Sequence, residues 1–386
     1  MNILTRLRDR LFPPFSPLPG GMYAYTAPPE TGFPYRLHLR LDPDGRGLLI
    51  ANGSTVLHLN QTAAEYAYHL VRQTPKTEAV KSVAKRYGIP AAQAALDYDS
   101  LVERLQTMIE TPDLDPVAYL DFERVDPYSG AGSAPYRIDC ALTYRQPGET
   151  AGEYAPVQRV KRELAQDEWE QILKKAWDAG IPHAVFTGGE PTLRPDLTAL
   201  ITYASNLGMV TGLISDGMRL AETETFHALL QSGLDHLMLI LHPDEDQSWE
   251  ALRDVLAEDL AVTVHLTLTR RESDAGAALL DRLAAMGVTA VSLSASAPEQ
   301  LPLLPRARQL AAERQLRLVW DLPVPYSSAN PVAMEIAGGQ AGQPAQPRGA
   351  WVYIEPDGDA LAAQGQSDVL GSLLTEEWQT IWKSDR

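Results

Sequence analysis

Residues 186–197 read Phe-Thr-Gly-Gly-Glu-Pro-Thr-Leu-Arg-Pro-Asp-Leu, the run in this chain best suited to chemistry. A strand ending in Gly188-Gly189 lets bare backbone approach a ligand, and Glu190 sets a carboxylate at the strand's carboxyl edge. Backbone carbonyls beside a carboxylate suit a protonated amine. The same residues also read as a tight strand-to-helix turn with an acid near the helix start. Other candidates are sparse. Cys140 is the single cysteine, which excludes an internal disulfide, a Cys-rich zinc site and a cluster held by this chain's thiolates alone. It falls within a strand candidate and reads as a core residue. The eight histidines show no His-x3-His spacing; only His242, just past a strand candidate, is placed to touch a ligand. Glu149 and Glu153 could pair as acid and base, but a solvated acidic loop accounts for them. No Ser-His-Asp order, phosphate loop or zinc signature is present.

Such residues need a scaffold that gathers strand ends along one edge. From about residue 136 strands and helices alternate, with strand candidates at 136–142, 184–187, 210–214, 236–241, 262–268, 288–293 and 317–320. The clearest helix, 167–179, carries Trp169, Ile172, Leu173, Ala176 and Trp177 on one face and stops at Gly180. This repetition predicts an α/β fold with a parallel sheet, a partial (β/α) barrel over 136–320 whose functional residues lie at the strands' carboxyl ends. Within 321–386, a Pro/Gly-rich loop precedes a hairpin signal at Pro356-Asp357-Gly358 and a helix with Trp378 and Trp382. Upstream, the Pro-rich residues 1–30 read as an irregular arm. Strands at 35–41, 47–51 and 55–59, the last two joined at Asn52-Gly53, precede three helices; the first opens at a Thr62-Ala63-Ala64-Glu65 capping box. Residues 31–110 thus form a winged-helix-like unit, and 111–135 a linker.

Composition narrows the function classes. The 386 residues are 45% hydrophobic and carry a net charge of −17, which disfavours phosphate backbones. Residues 31–110 hold nine Lys/Arg against eight Asp/Glu, too little positive charge for DNA binding by a winged helix. No apolar run reaches the ~18–20 residues of a membrane span. The first residues lack the apolar stretch of a secretory signal, so a cytoplasmic location is expected.

The run 186–197, in its strand–helix context, resembles the radical S-adenosylmethionine (SAM) superfamily, whose Gly-Gly-Glu segment binds the amino group of SAM. Leu213-Ile214-Ser215-Asp216-Gly217 looks like that family's third-strand segment, usually ending Thr-Asn-Gly. The resemblance implies a residual SAM pocket at Gly188, Gly189, Glu190, Ser215 and Asp216. It also implies three thiolates after the first strand. Here Cys140-Ala141-Leu142-Thr143-Tyr144-Arg145 leads instead into Gln146, Thr150 and Glu153 at the ligand positions. An amide, a hydroxyl and a hard carboxylate are not ligands for iron–sulfur. The stretch 354–361 resembles the SPASM-like extension of peptide-modifying members, with Leu361-Ala362-Ala363-Gln364 where the family has Leu-Pro-Cys-Gln. Residues 31–110 resemble the PqqD-like domain that holds a precursor peptide's leader by strand addition. The expectation is a catalytically inactive homologue without a 4Fe–4S cluster, binding SAM weakly if at all. Its partner would be a precursor peptide, an active radical SAM enzyme, or both. The alternative is an iron-independent SAM-using enzyme or SAM sensor built on the retained Gly-Gly-Glu pocket.

Overall fold

The computed structural model describes residues 18–28, 35–53, 55–111, 134–148, 154–269, 272–319, 322–332 and 349–382. The chain divides into two compact units, Met1–Gly130 and Ala131–Arg386.

In the first unit, strands β1 (Gly21–Thr26), β2 (Arg36–Leu41), β3 (Gly47–Ala51) and β4 (Thr55–Leu59) form an antiparallel sheet in that order. Helices α1 (Gln61–Val71), α2 (Lys76–Tyr87) and α3 (Ala91–Glu110) follow. Leu37, Leu39, Leu49 and Leu57 meet Ala64, Ala67, Val83 and Leu105 in one core, which supplies the stability that short helices lack alone. Two expectations are corrected. The stretch 1–30 is not wholly irregular, because β1 pairs with β2 and lays Tyr23 edge-on to Tyr68 at 4.9 Å. The cap of α1 is Asn60, whose side chain accepts the Ala63 N–H at 2.9 Å, two residues before the expected box. Glu65 is buried instead, bonded by Arg86 Nε at 3.0 Å and Ser82 Oγ at 3.3 Å.

The second unit is an α/β layer built on a ten-stranded sheet. Its elements are β5 (Arg137–Thr143), α4 (Gln166–Ala179), β6 (His183–Gly188), α5 (Leu197–Leu207), β7 (Val210–Ser215), α6 (Thr223–Gln231) and β8 (His236–Ile240). They continue as α7 (Asp246–Leu256), β9 (Ala261–Leu268), α8 (Glu272–Ala285), β10 (Ala290–Ala295), α9 (Leu304–Glu313) and β11 (Arg317–Val319). The tail adds β12 (Trp351–Ile354), β13 (Asp359–Leu361), β14 (Val369–Ser372) and α10 (Trp378–Ile381). The sheet order is β11-β10-β9-β8-β7-β6-β5-β12-β13-β14, so among the described residues the sheet is open and no complete barrel closes. β5 to β11 run parallel, and β12 joins them parallel to β5.

Alternation along the strands separates two faces. Ala184, Phe186, Leu213, Leu237 and Leu239 pack with Trp169, Ile172 and Leu173 of α4 in the main core. Val185, Ile214 and Met238 face the other way and are met by Leu322. On that face the His183 and His236 rings approach Nε2 to Nε2 at 2.6 Å. A Cβ on Gly212 would lie 2.2 Å from the His236 ring, so only glycine fits there. His265 is fully buried and meets Ser292, Thr267 and Ser294 hydroxyls; burial pushes it down to about 4, so it is neutral.

Candidate functional site

The carboxyl ends of β5, β6 and β7 bring Gly188, Gly189, Glu190, Ser215 and Asp216 together. Gly189 N–H donates to Thr143 O at 2.7 Å, and Glu190 N–H donates to Arg145 O at 2.8 Å. A Cβ on Gly188 would meet Thr143 O at 2.2 Å, and one on Gly189 would meet Arg145 O at 2.3 Å. The glycines therefore press backbone against the end of β5, a close approach within the chain itself. Gly189→Ala is expected to lower the second unit's stability by about 1–3 kcal/mol in urea unfolding, because backbone atoms must move apart.

Glu190 is fully buried. Its Oε1 accepts from Thr192 N–H at 2.9 Å, Thr192 Oγ at 2.5 Å and Ser215 Oγ at 3.0 Å, while Oε2 accepts from Asp216 N–H at 2.8 Å. Burial first, then the Asp216 carboxylate, pushes Glu190 up to about 8 against these donors. Asp216 is raised too, chiefly by burial, with the Met218 N–H and the nearby His242 pulling it back. The two carboxyls interact directly, so the upward shift belongs to the pair. His242, singled out from sequence, thus lies close enough to Asp216 to favour its charge.

Of the positions where the resemblance expects thiolates, Gln146 is described, whereas Thr150 and Glu153 lie outside the described residues, as does Glu149. The Gln146 amide donates to Tyr326 O at 2.7 Å, and Tyr326 N–H reaches Gly188 O at 3.2 Å. Tyr326 is wholly buried, edge-on to Tyr144 at 5.4 Å. The two Tyr326 bonds lay this segment over the ends of β5 and β6, and Gln364 of the tail donates to Val324 O at 2.7 Å. The sequence offered no sign of this crossing, since Tyr326 sits in a stretch without periodicity. Cys140 is fully buried beside Phe186 and Ile354, and burial, with Asp139 second, pushes its thiol well up. Among the described residues, no cluster of three or more His, Cys, Asp or Glu could hold a metal.

Tyr144 OH donates to Glu355 at 3.0 Å, and Arg159 Nε bonds both Glu355 oxygens at 2.8 and 2.9 Å. This buried network ties the end of β5 to the β12–β13 turn. Its members are scattered through the sequence: Tyr144 ends the first strand's run and Glu355 lies in the tail stretch 354–361, but nothing local marked Arg159 as their partner.

Residues 140–246 match the Radical SAM superfamily. Over 206 residues the chain is 30% identical to the PqqA peptide cyclase of Streptomyces rochei, covering 48% of this chain and 56% of that protein. Over 81 residues it is 41% identical to the PqqA peptide cyclase of Rhizobium meliloti (strain 1021), covering 21% of each. The chain thus spans about half the length of the first of these relatives, 56%, and less of the second. The fold is similar to that of Streptococcus suis SuiB bound to precursor peptide SuiA, at a TM-score of 0.57 and 13% identity, covering 89% of this chain and 87% of that one. SuiB without its peptide superposes at a TM-score of 0.54. The strand ends built around Gly188-Gly189-Glu190 therefore belong to a radical SAM domain homologous to the PqqA peptide cyclases.

Proposed function

We propose that this chain is a radical SAM homologue without a 4Fe–4S cluster that binds a precursor peptide or an active partner enzyme in ribosomal-peptide modification. The observation that carries the reading is Gln146, a neutral amide at a thiolate position, bonded to the chain's own Tyr326 carbonyl at 2.7 Å. Gln146, Thr150 and Glu153 do not fit an iron–sulfur cluster, and Cys140 faces the main core. SAM binding is weakened as well. Glu190 is engaged by four internal donors, and the Gly188 carbonyl accepts from Tyr326. The residual pocket of Gly188, Gly189, Glu190, Ser215 and Asp216 is then a structural junction.

The first unit takes the peptide in this reading. Its strands-then-helices order and near-neutral charge suit a PqqD-like domain, and β4 lies at a sheet edge where an incoming strand gains main-chain hydrogen bonds. SuiB, of similar fold, is bound to its precursor peptide SuiA.

Anaerobic reconstitution with iron and sulfide tests the reading. The full chain should retain no stoichiometric iron and no broad visible absorbance; about four irons per chain would overturn it. Calorimetry with SAM under iron-free conditions should give a dissociation constant of high micromolar or weaker, since each lost strong contact is worth about 1–3 kcal/mol. Low-micromolar binding abolished by Glu190→Gln would point instead to an iron-independent SAM-using protein.

A further inference from the structure

The first unit contains a cleft of about 550 Å³ between the edge strand β4, the start of α1 and the middle of α3. Leu59 of β4 forms one wall, and Asp97, Ser100 and Arg104 of α3 form the other. Tyr66 of α1 also lines it. That tyrosine is 2% exposed and edge-on to Tyr98 at 5.9 Å, yet its buried hydroxyl has no hydrogen-bond partner. Buried hydroxyls are nearly always bonded, and one left open beside a cleft is a donor waiting for an acceptor. Burial, with Asp97 second, pushes Tyr66 up to about 12, so the proton stays on the oxygen.

The neighbouring strand decides what can reach this hydroxyl. A peptide added along β4 directs every second side chain to the same face, and His58 and Leu59 of β4 border the cleft. We propose that the cleft is a side-chain specificity pocket for an extended peptide paired with β4, in which Tyr66 donates to the carbonyl or carboxylate oxygen of an Asp, Glu, Asn or Gln. Ser100 stands on the opposite wall, where its hydroxyl can donate to a carboxylate's second oxygen or accept an amide N–H. Asp97 accepts from Gln93 Nε2 at 2.7 Å and sets a negative charge there that limits the advantage of a carboxylate over an amide. The pocket deepens the peptide-recognition reading and rests on it.

The test uses the full chain and a positional-scanning library of fluorescein-labelled decapeptides, read by fluorescence polarisation. In the wild type, one position should favour Asp, Glu, Asn or Gln over the similar-sized Leu by at least about fivefold. Tyr66→Phe should erase that preference and leave the affinity for the Leu peptide within about twofold. Its melting temperature should not fall, because the hydroxyl is unpartnered in the free protein. A preference that persists in Tyr66→Phe, a preference for aliphatic residues, or a clear drop in melting temperature overturns the pocket while peptide recognition stands. Absence of binding by every library peptide overturns peptide recognition, and the pocket with it. Adding salt separates the two acceptors: a carboxylate preference weakens between 50 and 500 mM NaCl, an amide preference does not.

Discussion

Arg159→Met is expected to lower the unfolding free energy of the second unit by about 3–5 kcal/mol, because it strands the Glu355 carboxylate without its guanidinium. Glu355 is 1% exposed and receives both the Arg159 fork and the Tyr144 hydroxyl. An isolated buried carboxylate must stay charged in low dielectric or take up a proton, and either is unfavourable. Replacing both partners, as Arg159→Met with Glu355→Leu, should recover most of the loss. Urea unfolding followed by tryptophan fluorescence measures this directly. All seven tryptophans, Trp169, Trp177, Trp249, Trp320, Trp351, Trp378 and Trp382, belong to the second unit, so the signal reports it alone. A double variant as unstable as the single one would mean that packing by the arginine stem, not the ion pair, matters.

Raising the pH from 6 to 9 should destabilise the same unit by about 2–3 kcal/mol through Glu190. Unfolded, this carboxyl titrates near its ordinary value of 4.5; folded, burial and then Asp216 hold it at about 8. A raised pKa means that the fold favours the protonated form. Its contribution is complete below about 4.5 and drains away as the pH climbs through about 8. Glu190→Gln, neutral at every pH, should flatten that part of the profile. Glu190→Ala is a different lesion: it orphans the Thr192 and Asp216 N–H groups and the Ser215 hydroxyl, and should remove about 3–5 kcal/mol across the range. Melting curves from pH 5 to 9 compare the three chains, and parallel wild-type and Glu190→Gln profiles would locate the proton elsewhere.

The site was legible in part. Gly188-Gly189-Glu190 was readable as a strand end because two glycines before an acid and a Pro leave few other local conformations. Why they must be glycines was not readable, since the clash partners, the carbonyls of Thr143 and Arg145, come from another strand. The βα order likewise follows from hydrophobic period and from turn residues such as Gly180. β1 was missed because its six residues lie among prolines, and its pairing with β2 holds it. The helix cap slipped by two residues because Thr62-Ala63-Ala64-Glu65 and Asn60 are both adequate starts, and burial of Glu65 against Arg86 excludes the former.

By itself, the sequence determined which chemistry is within reach: one cysteine, a carboxylate after paired glycines, and strands alternating with helices that imply a parallel sheet. Those properties are compositional or periodic, and none depends on which distant residues meet. Only the tertiary structure decided that the sheet stays open, that β12 returns beside β5, and that Tyr326 crosses to Gly188 and Gln146. Gln146 and Tyr326 stand 180 residues apart, and no local pattern encodes such a meeting. It arises when the whole core closes and each buried polar group must find whatever partner the packing has brought near.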